Sequence, residues 1–292
     1  MTSPHKDILI EIPDDKLPQL ANLYKEKAPW APHMVSFIDM AIKWKKTEIY
    51  RDTLHIFSPN DSWKTDGTII ARIILMNGHQ DIMVFTLDDQ CTNLYQGLME
   101  TLLLNYNNIK TCFYGVHEKH IYFIKTFLNE KNLAMDFLVP MHVYCISPEE
   151  ARKFTIECPP EVYLKKLDPS AGQQMNATWL HRFPGSDKYL TSFIDANGGY
   201  GVFLKSTHEM VAWVLRHAWG HLAILQTQEA HKRKGYASLV TKALSKEIAN
   251  EGHWPLGTIL LKNRISINMF EKLGFNSIGI CNFILVDTRA NK

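Results

Sequence analysis

GHLAILQTQEAHKRKGYASLV, residues 220–240, decides how the rest of the chain is read. It opens as an apolar run, passes through three consecutive cations, and enters a stretch with helical spacing. The first amides of a helix have no intrahelical acceptor and sit at the positive end of its dipole. A phosphate placed there gains several hydrogen bonds at once. Gly235 lets the backbone come close to such a ligand, and the small Ala237 keeps the helix start open. Lys232, Arg233 and Lys234 add positive potential for a polyanion. A solvated basic turn before a surface helix would use the same residues, so the flanking sequence must choose between the two.

Downstream, Leu239, Val240, Ala243, Leu244 and Ile248 form one apolar stripe of a helix. TILLKN (258–263) reads as a strand, and RISINMFEKLG (264–274) as a helix stopped by Gly274. FNSIGICNFILV (275–286) reads as the strand that closes the sheet. Upstream, YGVFLKS (200–206), MVAWVLRH (210–217) and GHLAILQT (220–227) are strand-like runs with short turns between them, an antiparallel meander. A helix over 186–197 ends at Gly198-Gly199. EVYLKKL (161–167) is a strand followed by a helix with Asp168 as its expected N-cap.

The N-terminal half mixes the same elements. Helices are expected over 14–27, 33–46, 91–106 and 118–131. IARIIL (70–75) and DIMVFTL (81–87) flank Asn77-Gly78, a hairpin signal, and TCFYGV (111–116) and 134–146 are extended. SPEEARKFTIECPPE (147–161) carries three prolines and charges between them, which suits a linker. The expected division is a mixed α/β domain over 1–147, a linker over 148–160 and a second domain over 161–292. The fold class is α/β, with a mixed sheet.

Composition narrows the function. A hydrophobic content of 46% with 21% charged residues fits a soluble globular chain, and a net charge of +2 over 292 residues argues against a nucleic-acid partner. Any positive site must be local. Five scattered cysteines without a C-x-x-C pair point to a reducing compartment and to neither a disulfide framework nor a metal knuckle. The acidic start has neither a signal-peptide nor a transit-peptide pattern, and no apolar run reaches the ~18 residues of a spanning helix. The expected setting is cytoplasmic, with no membrane partner.

Taken together, GHLAILQT, KRKGYA, TILLKN and NRISINMFEKLGF resemble the Gcn5-related N-acetyltransferase family from residue 161 to the end. Lys232 stands where that family prefers Arg or Gln. Asn263, Ser266 and the Lys272-Leu273-Gly274-Phe275 run match it by type and spacing, while Phe270 replaces its usual Tyr. The arrangement AWVLRHAWGHLAIL…HKRKG is most similar to the glycine N-acyltransferase-like branch. That resemblance implies an acyl-coenzyme A or acetyl-coenzyme A donor, no metal, and a small amine or amino acid as acceptor. It implies further that the N-terminal half is a degenerate copy of the same fold, and it admits a mitochondrial setting.

The resemblance also distributes roles. Residues 232–237 would hold the diphosphate, Tyr236 included. Backbone groups of Leu225 and Thr227 would pair with the pantetheine arm along an exposed strand edge, with a backbone amide near Leu225 or Gln226 as oxyanion donor. Asn263, Ser266 and Phe270 would border the same cleft. The branch places Glu directly after the glycine at 220, and here that residue is His221, the candidate base, with His217 and Glu229 as rivals. Direct attack on a thioester needs no enzyme nucleophile, so Cys281 receives no role. A catalytically weak coenzyme A-binding or interaction module, or a protein or peptide N-acetyltransferase, would carry the same motifs. Trp213 and Trp219 read as core residues, Lys43, Lys45 and Lys46 as a solvated face, and His117 with His120 as a pair lacking a third metal ligand.

Overall fold

In a computed structural model of the chain, residues 6–47, 50–74, 79–106, 109–180 and 182–287 are described. The Asn77-Gly78 turn lies outside them. The elements run β1 (Leu9–Glu11), α1 (Leu17–Lys27), α2 (Pro32–Lys45), β2 (Leu54–Pro59), β3 (Ile69–Ile74), β4 (Gln80–Phe85), α3 (Thr92–Glu100), β5 (Thr111–His117), α4 (Ile121–Glu130) and β6 (Ala134–Cys145). They continue with α5 (Pro148–Arg152), β7 (Val162–Lys166), α6 (Ala171–Thr178), α7 (Ser186–Asn197), β8 (Gly199–Leu204), β9 (Met210–Arg216), β10 (Leu222–Thr227), α8 (Tyr236–Asn250), β11 (Leu256–Leu260), α9 (Arg264–Lys272) and β12 (Asn276–Asp287).

These elements form two units. The first comprises residues 1–141 and 279–292, the second 142–278. In the first, β1 to β4 run antiparallel in sequence order, and β5 then lies parallel to β4. Strand β12 extends this sheet by pairing antiparallel with β5, with Cys281 opposite His117 and Leu285 opposite Cys112. The faces of β2–β5 that carry Phe57, Ile70, Ile82, Val84 and Phe113 pack on Leu94, Leu98, Ile124 and Phe127 of the helices.

The second unit repeats that order. Strands β7 to β10 are antiparallel neighbours, and β11 runs parallel to β10. In each unit two helices follow the first strand, a meander of three strands comes next, and a helix then crosses to a parallel fifth strand. The parallel pair requires that crossover, because a tight hairpin can only join antiparallel strands. The stripe Leu239, Val240, Leu244 and Ile248 of α8 packs on Val202, Val211 and Val214 of the sheet. The long apolar run of β9 suits a central strand, and all seven of its residues are buried.

Local signals explain the helix ends around β11. Asn263 Oδ1 accepts the Ser266 amide at 3.2 Å and starts α9. Gly274, at φ +88°, stops it, with Gly274 N–H donating to the Glu271 carbonyl and Phe275 N–H to the Phe270 carbonyl. This is the paired closure that a left-handed residue makes possible. Elsewhere the expectations shift. Asp168 is not the cap of α6: Ser170 holds that position, and Asp168, two residues before it, accepts the Ser170 amide on Oδ1 at 3.0 Å. The helix expected over 91–106 ends at Glu100, and the 147–161 stretch contains α5, capped by Ser147 Oγ on the Glu150 amide.

Candidate active site

Strand β10 is broken in its middle. Its register with β9 shifts between Ala223 and Gln226, and Ile224 sits at φ +54°. A left-handed backbone at a β-branched residue costs on the order of 1–3 kcal/mol, and such strain clusters at functional positions. The bulge also ends the pairing on the other side. Leu222 opposite Gly257 is the one register pair between β10 and β11 among the described residues. From Ala223 to Thr227 the strand is half-buried, and beyond Leu222 its β11-facing edge has no register partner among the described residues. Gln226 Nε2 donates to the Thr178 carbonyl at 3.1 Å, and Thr227 Oγ1 is enclosed without a hydrogen-bond partner among the described residues.

The chain leaves this edge and reaches α8 through the cation run. Arg233 is left-handed at φ +60° and Gly235 at φ +82°. Gly235 is the N-cap of α8 and no side chain caps the helix. A Cβ built on Gly235 meets no atom within 4 Å. The approach to Gly235 is therefore open, and no side chain caps the positive end of the dipole. Lys232 pairs with Glu229 at 2.6 Å, while Arg233 and Lys234 are exposed without an ion pair among the described residues. Tyr236 is buried and its hydroxyl donates to Glu161 Oε1 at 2.7 Å, which fixes the start of the helix.

The parallel register brings the start of α9 to the same end as the cradle. Asn263 is therefore near the mouth of the cleft, but its side chain is engaged in capping. Phe270 sits at the other level. A Cβ on Gly257 would lie 2.8 Å from its ring, which is packed 4.8 Å from Phe275. Phe270 thus fills the floor where β10 and β11 are still joined. The Tyr144 hydroxyl donates to Glu271 Oε1 at 3.0 Å, beside the same ring.

His221 closes the turn between β9 and β10, three residues before the bulge and on the side opposite the cradle. Its ring is buried, 5.1 Å from His217 and 5.6 Å from Trp219. Burial pushes its pKa down to about 3. His217 is lowered well below the usual histidine range, first by burial and then by His221, and its Nε2 lies 2.7 Å from the Tyr189 hydroxyl. Both rings are neutral at pH 7. Glu229, the other rival, is exposed on the cradle side and tied to Lys232. Trp213 and Trp219 are fully buried.

Sequence reasoning missed a second group of residues. Thr155, Glu157 and Pro159 face Lys234, Ser238 and Lys242 across a cavity of about 450 Å³ at the start of α8. Ser238 and Lys242, four apart on α8, were the available signal.

The first unit offers a contrast at the matching place, between β4 and α3. Asp88 Oδ1 accepts the Gln90 amide and Oδ2 the Thr92 amide, both at 2.9 Å. Those bonds hold the Asp88 carboxyl below its ordinary pKa, the Thr92 amide most of all. The chain's own carboxylate occupies the position that an anion would take. Among the described residues no group of three or more His, Cys, Asp or Glu could hold a metal ion, and no helix is long and apolar enough to cross a membrane.

Residues 199–284 match the family described as FR47-like protein, and residues 8–127 match a domain of unknown function, DUF5645. No curated protein matches the chain. A Drosophila protein of known structure superposes with a TM-score of 0.88 at 19% identity, over 97% of this chain and 99% of that one. A GCN5-related N-acetyltransferase from Sphaerobacter thermophilus gives 0.54 at 8% identity, over 98% of this chain and 96% of the other. A GCN5-related N-acetyltransferase-like protein from Streptococcus suis gives 0.50 at 11% identity, covering 94% and 99%. The bulged β10, its open edge and the uncapped glycine start of α8 thus belong to a chain with the fold of the Gcn5-related N-acetyltransferases, FR47-like over residues 199–284.

Proposed function

We propose that the protein is an N-acyltransferase that moves an acyl group from acyl-coenzyme A to the amine of a small amino acid or other small acceptor. The observation that carries the reading is the free edge of β10 leading into an uncapped helix start with no side chain in the way. A pantetheine arm has amides that can pair with an extended edge through Leu225 and Thr227. A diphosphate suits the amides from Gly235 to Ala237, with Lys232, Arg233 and Lys234 around it. One donor site per chain follows, since Asp88 fills the matching position of the first unit.

In this reading the amine nitrogen attacks the thioester carbon directly. The carbon–nitrogen bond forms, the carbonyl oxygen becomes an oxyanion held by a backbone N–H near Leu225 or Gln226, and the carbon–sulfur bond then breaks. His221 takes the proton that the nitrogen sheds. Its ring is uncharged at pH 7, so the site accepts a proton, but it is a weak base. It serves best once attack has made the nitrogen acidic. Phe270 has no hydroxyl to give, so the thiol leaves as thiolate.

A stopped assay tests this: the protein with acetyl-, propionyl- and benzoyl-coenzyme A, a panel of amino acids and small amines, and free thiol followed over time. Amine-dependent thiol release is expected. Tight donor binding with no release for any amine would identify a binding module instead, the outcome that Phe270 favours. No binding of any thioester would exclude the donor site.

A further inference from the structure

The first unit has a fork of its own, between β4 and β5. Their register pairs run from Gln80 opposite Thr111 to Ile82 opposite Phe113 and stop there among the described residues. Strand β4 continues to Phe85 and β5 to His117. Three rings bridge those two ends. Trp30 lies 5.6 Å from Phe85 and 4.9 Å from His117. His33 lies 6.3 Å from Phe85 and stacks on His117 at 6.0 Å. His120 lies 5.4 Å from Phe85 and 5.9 Å from His117. All three histidines are buried.

Two of these imidazoles are tied to helix starts. The Lys119 amide donates to His117 Nδ1 at 3.2 Å, so the proton of His117 sits on Nε2 and the ring is neutral. His120 is the N-cap of α4, and its Nδ1 lies 3.3 Å from Sγ of Cys91, the buried N-cap of α3. That contact joins the starts of both helices. Nε2 of His120 is enclosed with no hydrogen-bond partner among the described residues. A proton added to His117 Nδ1 would remove the acceptor of the Lys119 amide. A proton added to His120 would put an N–H on both ring nitrogens, with nothing to accept from Nε2, and a buried donor left in that state is costly.

The charged groups around the cluster divide. Lys119 Nζ stands 4.3 Å from the centroid of the Trp30 ring and pairs with Asp89 at 3.6 Å. Glu118 Oε1 accepts the Ile280 amide at 3.3 Å, and Asp88 is engaged with the Gln90 and Thr92 amides. Cys281 faces His117 from β12, and Tyr24 of α1 packs edge-on against Phe85 with its hydroxyl on the Gly67 carbonyl. Burial pushes the His120 pKa down to about 3, with His117 and then Lys119 adding to the shift. His117 is lowered too, by burial first; Glu118 works against that shift and Lys119 with it.

We infer that this cluster is an acid-operated clasp: protonation of His117 and His120 releases the starts of α3 and α4 from the ends of β4 and β5. Both rings are neutral in the closed unit, whereas an exposed histidine binds a proton below about pH 6.5. The open form therefore binds more protons than the closed one. The clasp is complete above about pH 6.5 and loosens as pH falls, by up to about a hundredfold in the opening constant per pH unit for two protons. It does not depend on the donor site of the second unit.

The test is amide hydrogen exchange of the full chain between pH 7 and pH 5, read by mass spectrometry after correction for the intrinsic exchange rate, in the parent, His120→Phe and His117→Phe. In the parent, protection of peptides covering 92–100 and 121–130 should fall by more than about tenfold per pH unit. Each variant should lower that dependence by about tenfold per pH unit, whatever its absolute stability, because one proton is no longer taken up. The pH dependence of peptides covering 210–216, in the second unit, should be the same in all three proteins. Corrected protection in the parent that falls by no more than about tenfold per pH unit overturns the clasp, and that reading needs neither variant to fold. A steep dependence that survives both substitutions overturns it equally, since other groups would then take up the protons.

Discussion

The Tyr236 hydroxyl donates to Glu161 Oε1 at 2.7 Å, so the first residue of α8 is bound to the residue that leads into β7. Burial first, and then Glu161, pushes the Tyr236 phenol up to about 12. In return the Tyr236 hydrogen bond holds the Glu161 carboxyl below its ordinary range. A carboxylate with a depressed folded pKa stabilises the fold above its unfolded pKa and loses that contribution as pH falls through the folded value. Tyr236→Phe should melt at a lower temperature than the parent at pH 7, and the two should converge below about pH 4. Thermal unfolding followed by circular dichroism checks this; an equal gap at pH 7 and pH 3 would exclude the bond as its cause.

Gly235→Asp separates ligand effects from folding effects. The new Cβ would meet no protein atom within 4 Å, and Asp tolerates a left-handed backbone better than most residues. Its carboxylate would stand where the diphosphate is proposed to sit. Coenzyme A affinity should drop by more than about tenfold, with the melting midpoint moved by only a few degrees. A variant that binds as the parent does would place the phosphates elsewhere.

His221 couples stability to acid. Its folded pKa of about 3 is well below the unfolded value near 6.5, because burial penalises the charged ring. The unfolded chain therefore takes up a proton that the folded chain refuses. Stability is complete above about pH 6.5 and declines toward pH 3, by about 1.4 kcal/mol per pH unit for such a group. Urea unfolding of His221→Asn should show a shallower loss between pH 6 and pH 4 than the parent. In turnover, the acid limb of the pH profile should lie below the ordinary histidine range. A limb near pH 6.5 would assign the proton to another group.

The seam between β10 and β11 depends on a missing side chain. Phe270 occupies the space that a Cβ on Gly257 would need, 2.8 Å from its ring. Gly257→Ala should lower the unfolding free energy by about 1–3 kcal/mol, the usual result of overfilling a packed core. Adding Phe270→Leu should recover part of that loss, because two residues that touch do not act additively. Denaturant melts of the two single variants and the double variant measure the coupling.

Much of this site is readable in the sequence. The stripe on α8, Gly235 as its start, Asn263 before α9 and Gly274 after it are all local patterns, and local patterns are what periodicity and capping rules capture. The α/β class and the meander follow from the same rules. The bulge at Ile224 is not legible, since AILQT reads as an unbroken strand and the left-handed turn falls on a residue that resists it. Burial of His221 is equally invisible, because it depends on Trp219, His217 and the elements around them. Asp168 misleads by two residues: an Asp bonding the amide two positions on and an Asp capping a helix look alike in sequence. The pairing of β12 with β5 joins residues more than 160 positions apart, and nothing local announces it.

That last pairing has a consequence for biosynthesis. Until residues 279–287 leave the ribosome, the nascent first unit holds β5 with one row of amides and carbonyls unanswered. Bare strand edges of this kind recruit other strands. Translation of the whole intervening segment is a waiting period during which chaperones have an obvious client, and premature termination within it would release an aggregation-prone fragment rather than a working half.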